Sequence, residues 1–193
     1  MPGAGGGANW HGAAVDPETG VLYVPSRTQP TIVQLAKPDP ASSDFNYLRA
    51  GNQGIQGPQG LPMWKPPYMR LTAIDLSSGS HKWMIPLGDG PRQKIIDMGL
   101  KDPGPLGGGA YTGPLATKTL LFLGLRGTEA PDLIFGNANV PRPEVVTKPE
   151  LRAFDKATGD AIHSVELDVS PTGTPMTYMI RSEERRVGKE CRL

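Results

Sequence analysis

Apolar positions along this chain fall in short runs rather than in helical stripes. Val21-Leu22-Tyr23-Val24 and Leu120-Leu121-Phe122-Leu123 are bounded by turn-forming residues, the pattern of buried strands. One stretch recurs without gaps. Leu71-Thr72-Ala73-Ile74-Asp75-Leu76-Ser77-Ser78-Gly79 matches Leu151-Arg152-Ala153-Phe154-Asp155-Lys156-Ala157-Thr158-Gly159 at a constant offset of 80. Both copies share the frame Leu-x-Ala-x-Asp-x-x-x-Gly and run into an apolar strand ending at Leu87 or Leu167. The frame predicts a hairpin: side chains alternate inward up to an Asp whose carboxylate caps the turn amides, and Gly supplies the positive φ that closes it. A third turn of this kind, Asp16-Pro17-Glu18-Thr19-Gly20, separates Gly12-Ala13-Ala14-Val15 from Val21-Leu22-Tyr23-Val24. Asp16, Asp75 and Asp155 therefore read as turn caps and not as catalytic carboxylates.

After the turns the two copies diverge at one position. Trp83 follows Gly79 by four residues, where the second copy has His163. A Trp on an outer strand suits a wedge between sheets, burying a flat surface while its ring N–H reaches a backbone carbonyl. His163 reads as a packing replacement for it, not as a catalytic base.

The order is a hairpin (about 12–25), an insertion (37–68), a hairpin (71–87), a loop (89–109), a hairpin (about 111–124), a second insertion (126–149), a hairpin (151–167) and one orphan strand from Thr174. Two hairpins make one four-stranded sheet, so residues 1–180 predict an all-β fold: about two blades of a β-propeller, plus one strand. A propeller ring takes typically 4–8 blades, so the expectation is a partial propeller domain cut from a longer protein. Within the first insertion, Gly51-Asn52-Gln53-Gly54-Ile55-Gln56-Gly57-Pro58-Gln59-Gly60 reads as a flexible surface decoration.

Composition agrees. The chain has 25 Gly and 21 Pro in 193 residues, which leaves only short gaps for helices. A quarter of Gly and Pro also warns of disorder, but a gap-free repeat and apolar strands argue against it. The formal net charge is +1, with no basic aromatic stripe, so nothing points to nucleic acid. The longest apolar stretch, Leu115 to Leu125, contains Lys118 and is too short for a membrane helix. The residues after Met1 lack the basic start and apolar core of a signal peptide.

The last thirteen residues, 181–193, break with this pattern, eight of them being charged. The string Arg-Ser-Glu-Glu-Arg-Arg-Val-Gly-Lys-Glu-Cys-Arg-Leu resembles the translation of a sequencing-adapter oligonucleotide, and is read as a non-native tail. It holds the single cysteine, Cys191, so residues 1–180 have no thiol for a disulfide, a zinc site or nucleophilic catalysis.

Four segments taken in order resemble the pyrroloquinoline quinone (PQQ)-dependent dehydrogenases, especially the glucose-dehydrogenase-like members with an eight-bladed propeller. They are Gly6-Gly7-Ala8-Asn9-Trp10 running into Asp16 to Val24; Leu71 to Gly90; Leu106-Gly107-Gly108 with Gly113-Pro114-Leu115-Ala116-Thr117; and Leu151 to Tyr178. The resemblance implies that the Asn9 side chain hydrogen-bonds the cofactor. An amide suits a ring system of carbonyls and carboxylates, since it both donates and accepts. It further implies that Trp10 packs beside the quinone and that the backbone of Leu106 and Gly107 approaches it. Alcohol-oxidising relatives tend to have Trp where Leu106 stands, which leans toward the sugar-oxidising branch. His11 reads as a loop histidine, and Arg126 and Asp132 as surface residues.

The implied reaction is hydride transfer from an aldose or alcohol carbon to PQQ, with a calcium ion as Lewis acid and an Asp as general base. In the family that Asp and the calcium ligands lie upstream of the Asn-Trp segment, so no catalytic or metal-binding residue is expected in this chain and little turnover from it alone. The resemblance also implies a periplasmic parent, a quinone or cytochrome electron acceptor, and possible membrane association through a region not in this chain. The competing class is a non-catalytic propeller scaffold. The residues that separate the two are Asn9, Trp10 and the Leu106-Gly107-Gly108 loop, which a scaffold has no reason to keep.

Overall fold

A computed structural model of the chain describes residues 3, 6–54, 57–109, 111–127, 148–180 and 183–187. Its elements are β1 (Ala14–Asp16), β2 (Val21–Arg27), β3 (Thr31–Ala36), β4 (Leu48–Gly54), β5 (Met69–Asp75), β6 (His81–Pro86), α1 (Arg92–Asp97), β7 (Tyr111–Ala116), β8 (Leu120–Leu125), β9 (Glu150–Asp155), β10 (Ala161–Glu166), β11 (Met176–Ile180) and β12 (Glu183–Val187). Two antiparallel four-stranded sheets carry the fold, β1-β2-β5-β6 and β7-β8-β9-β10, here called blades A and B. These are the two propeller blades that the hairpin order predicts.

The repeat is reproduced bond for bond. In blade A, Asp75 N–H donates to Ser80 O (2.9 Å), Gly79 N–H to Asp75 O (2.7 Å) and Leu87 N–H to Met69 O (2.9 Å). Blade B places the same bonds 80 residues on: Asp155 to Asp160, Gly159 to Asp155 and Leu167 to Pro149, at 2.9, 2.9 and 2.8 Å. The carboxylates cap as expected. Asp75 Oδ1 accepts the Ser77 and Ser78 amides, Asp155 Oδ1 those of Ala157 and Thr158, and Asp16 takes the Glu18 amide and the Thr19 hydroxyl. Gly20, Gly79 and Gly159 all have positive φ, at 65°, 71° and 81°.

One apolar core joins the blades, including Val21, Tyr23, Leu71 and Ala73 from A with Leu121, Leu123 and Phe154 from B. Each such large side chain contributes roughly 1.5–3 kcal/mol on burial. The joint itself is the Asp155–Gly159 turn of blade B pressed onto blade A. The Lys156 carbonyl accepts both the Trp83 ring N–H (3.1 Å) and the Tyr23 hydroxyl (3.3 Å), and those two rings lie 5.7 Å apart. Trp83 is thus the wedge that the sequence suggests, and a Cβ at Gly159 would come within 2.8 Å of its ring. The Lys156 ammonium turns inward to Asp16 Oδ2 (2.6 Å) and donates to Thr117 O (2.8 Å). Both charged groups are buried, at 10% and 5% side-chain exposure, so each requires the other.

His163 does not replace Trp83 as packing. It lies on β10, whose residues are all exposed. Its position opposite Ala153 matches that of Trp83 opposite Ala73, but no described turn covers that face. The first insertion also differs from expectation, because Gly51–Gly54 form part of β4, paired with β3. A strand ladder is made by main-chain groups, so a Gly/Gln stretch can supply it when Thr31, Ile32 and Val33 bring β propensity to the other side. Most of the second insertion, and Asp132 with it, lies outside the described residues. β11 stands apart from both blades and pairs with β12, inside the charged tail.

Two measurements check the joint. Gly79→Ala and Gly159→Ala both force a side chain into positive φ, at about 1–2 kcal/mol, but nothing lies within 4 Å of a Cβ at Gly79. Gly159→Ala meets Trp83 as well and should lose about 1–3 kcal/mol more in chemical denaturation. The second concerns acid. The hydrogen bond from Lys156 holds the Asp16 carboxyl below its ordinary 3.8, so its contribution is complete above that value and vanishes as pH falls through the lowered one. Asp16→Asn should therefore be less stable than the parent at neutral pH. The gap should narrow as pH falls from about 5 to about 2.

Candidate functional site

The Asp turns occupy one end of the blades, and the residues singled out as ligands gather at the other. Register fixes this: Arg27 pairs with Met69 and Arg70 with Pro86, so the end of β2, the start of β5 and the end of β6 lie together. Main-chain bonds tie both candidate segments to that end. Arg27 N–H donates to Gly7 O (3.1 Å), Thr28 N–H to Tyr68 O (2.7 Å), and Tyr68 N–H to Leu106 O (2.8 Å).

Asn9 is half-buried, and its Oδ1 accepts the main-chain N–H of Trp10 at 2.8 Å, which fixes the amide plane. Its carbonyl accepts Gly12 N–H (3.0 Å) to complete the turn into β1. Trp10 is 78% exposed, its indole 5.6 Å from the His11 ring at 39°. His11 in turn lies against blade B, since a Cβ on Gly113 of β7 would come within 2.4 Å of its carbonyl oxygen. Asn9 and Trp10 therefore precede β1 at the junction of the two blades, with an indole face presented to solvent.

Leu106 and Gly107 sit differently. Leu106 is buried, and the chain from 106 to 108 runs beside 87–90: Leu106 N–H donates to Asp89 O (3.2 Å), Gly107 N–H to Gly88 O and Gly108 N–H to Leu87 O (2.9 Å each). Gly107 has φ +75°, and a Cβ there would lie 2.0 Å from Met69 O. The close backbone approach that glycine permits here is made to β5 of blade A.

Three further residues belong to this end, none of them assigned to the site from the sequence. Burial pushes the Tyr68 phenol above its ordinary 10, so it stays protonated. Arg27 and Arg126 stand at matching places, each six residues beyond the residue that pairs with a turn Asp (Val21 with Asp75, Leu120 with Asp155). The Nε atoms of both are buried, and Arg126 is half-buried rather than on the surface. Their spacing is 99, not 80, which is why a gap-free comparison passes over them. Among the described residues no group of three or more His, Cys, Asp or Glu is placed to hold a metal ion. The donor set fits a planar, carboxylate-bearing quinone in kind: an oriented amide, an open indole face, and guanidinium groups at two strand ends.

Residues 1–187 match the family model described as glucose/ethanol/alcohol dehydrogenase, β-propeller domain. Among curated proteins, the quinate/shikimate dehydrogenase (quinone) of Acinetobacter baylyi is 29% identical, over 93% of this chain and 22% of that protein. The glycerol dehydrogenase large subunit of Gluconobacter thailandicus is 26% identical, over 92% of the chain and 25% of that protein. The chain thus spans between a fifth and a quarter of the length of these relatives. Among solved structures, the quinohemoprotein alcohol dehydrogenase of Comamonas testosteroni superposes with a TM-score of 0.53 at 19% identity, over 95% of this chain and 22% of that one.

The packing of Gly107 yields a prediction. Gly107→Ala sets a methyl against the Met69 carbonyl in a left-handed backbone, and should cost at least about 2 kcal/mol in denaturant titration.

Proposed function

Because the chain belongs to the glucose/ethanol/alcohol dehydrogenase β-propeller family of PQQ enzymes, we propose that it forms one wall of a PQQ site in a longer dehydrogenase and turns over little by itself. The observation that carries this reading is Asn9 and Trp10 at the head of β1, the amide oriented and the indole open where two blades meet. PQQ, when bound, supplies the acceptor for hydride from a hydroxyl-bearing carbon. The chain's part is to bind and orient. Asn9 offers its amide to the carbonyl and carboxylate oxygens, Trp10 lays its face along the ring plane, and Arg27 and Arg126 supply positive charge for the carboxylates.

In this reading calcium and the general-base Asp are contributed from outside these residues. The substrate is an aldose or a small alcohol. Quinate, shikimate and glycerol, the compounds in the relatives' names, share neighbouring hydroxyl groups and favour a polyhydroxylated substrate. Electrons pass to a quinone, the acceptor named for the Acinetobacter relative, or to a cytochrome. The parent works in the periplasm, associated with the inner membrane.

Tryptophan emission tests the site directly, since Trp10 is the exposed member of three tryptophans. Titration with PQQ should give a saturable quench that Trp10→Phe removes, and Asn9→Ala should raise Kd about tenfold. A flat titration of the unaltered chain would withdraw the site and favour the scaffold reading.

A further inference from the structure

Residues 91–105 form a closed strap whose two limbs leave the blade side by side. The neck is the ladder between 87–90 and 106–108, and α1 fills the outgoing limb. Across the strap lies one charge cluster. Arg92 makes a two-point bond to Asp102, Nε to Oδ1 at 2.8 Å and Nη2 to Oδ2 at 2.6 Å, while its Nη1 reaches Asp89 Oδ1 at 3.3 Å. Asp102 also accepts Gly104 N–H at 2.9 Å, and Gly104 adopts positive φ at 74°. Asp89 acts twice, since its main-chain carbonyl is the acceptor for Leu106 N–H. One guanidinium therefore joins the neck, the outgoing limb and the returning limb, four residues before Leu106, which the chain reaches by way of Pro103, Gly104 and Pro105.

Geometry favours arginine here. A planar fork can hold a carboxylate at two points and still extend a third N–H, which an ammonium cannot do with the same orientation. The Asp102 carboxyl is held down at about 2, chiefly by its hydrogen bonds from Arg92, which keeps this arm of the clamp charged in mild acid. On the outer side Lys94 rests over the turn at Pro58–Gly60, with its Nζ 2.9 Å from where a Cβ on Gly60 would lie. Asp97 and residues 99–103 of the strap are exposed.

We propose that Arg92 is a positioning residue of the cofactor site: by clamping Asp102 and Asp89 it closes the strap on its neck and fixes the Leu106 main chain, whose carbonyl accepts Tyr68 N–H, so that the strand end carrying Arg27 keeps its place. The role rests on the PQQ reading above. It concerns how firmly the site is held and not the joint between blades, which lies at the opposite end.

The test uses two readouts on the same protein. Arg92→Ala should speed amide exchange at Leu106, Gly107 and Gly108 about tenfold and raise the Kd for PQQ about fivefold, with little change in melting temperature because the cluster is exposed. Arg92→Lys should recover only part of both effects, and the exchange Arg92→Asp with Asp102→Arg should recover most of them. Exchange rates in Arg92→Ala equal to those of the unaltered protein would overturn the clamp, whatever PQQ does. Faster exchange with unchanged PQQ affinity would overturn its role at the site. Absence of PQQ binding to the unaltered protein would instead remove the reading on which that role rests, and the role with it.

Discussion

The two sheets meet over one apolar core, and the polar contacts that set their relation centre on one main-chain oxygen. The Lys156 carbonyl receives the Trp83 indole and the Tyr23 hydroxyl, and the Lys156 side chain continues past it to a buried carboxylate, Asp16. Neither charge is tolerable alone in that setting, so the ion pair acts less as a source of attraction than as a constraint on registry. Only when the Asp155 turn sits squarely on the Tyr23 and Trp83 rings do all donors find acceptors. Gly159, without a side chain, lets the ring lie flat on the turn.

That constraint reaches the other end of the molecule. Strand register carries the alignment from the Asp turns to Arg27, Met69 and Pro86, and from there main-chain bonds pass it to Gly7, Tyr68 and Leu106. The Asn9 turn adds a second crossing, since His11 lies on Gly113 of the neighbouring blade. The candidate site is therefore assembled by the blade junction, with contributions from β1 and β7 and from the strap that follows β6.

Much of this was legible in the sequence because it depends on local chemistry. The Asp caps, the left-handed glycines and the wedge at Trp83 follow from residue type and spacing, and the offset of 80 recurs as matching hydrogen bonds. Other features depend on what lies across the fold. Lys156 occupies the place of Leu76 in the repeat, yet one is buried and ion-paired while the other is 54% exposed, because only the turn of blade B meets a neighbour among the described residues. His163 could not be told from a packed aromatic for the same reason. The β3–β4 ladder was hidden because main-chain pairing leaves little mark in Gly51–Gly54, and the Arg92 clamp because its partners are three and ten residues away with no periodic signal.

The wedge on a carbonyl has a consequence for how such repeats can drift. An indole that reads a peptide oxygen is indifferent to which side chain that peptide carries, so this part of the recognition between blades does not depend on residue identity, whereas the ion pair of Lys156 with Asp16 does. Of the nine positions in the frame only four agree between the copies, and each has a backbone or steric reason: Leu71 and Leu151 inside the sheet, Ala73 and Ala153 opposite the wedge position, the Asp cap and the left-handed Gly. The remaining five differ between the copies, and of these Lys156 is held by its ion pair with Asp16. A repeated unit can thus keep its turn and its place in the sheet while the other positions change.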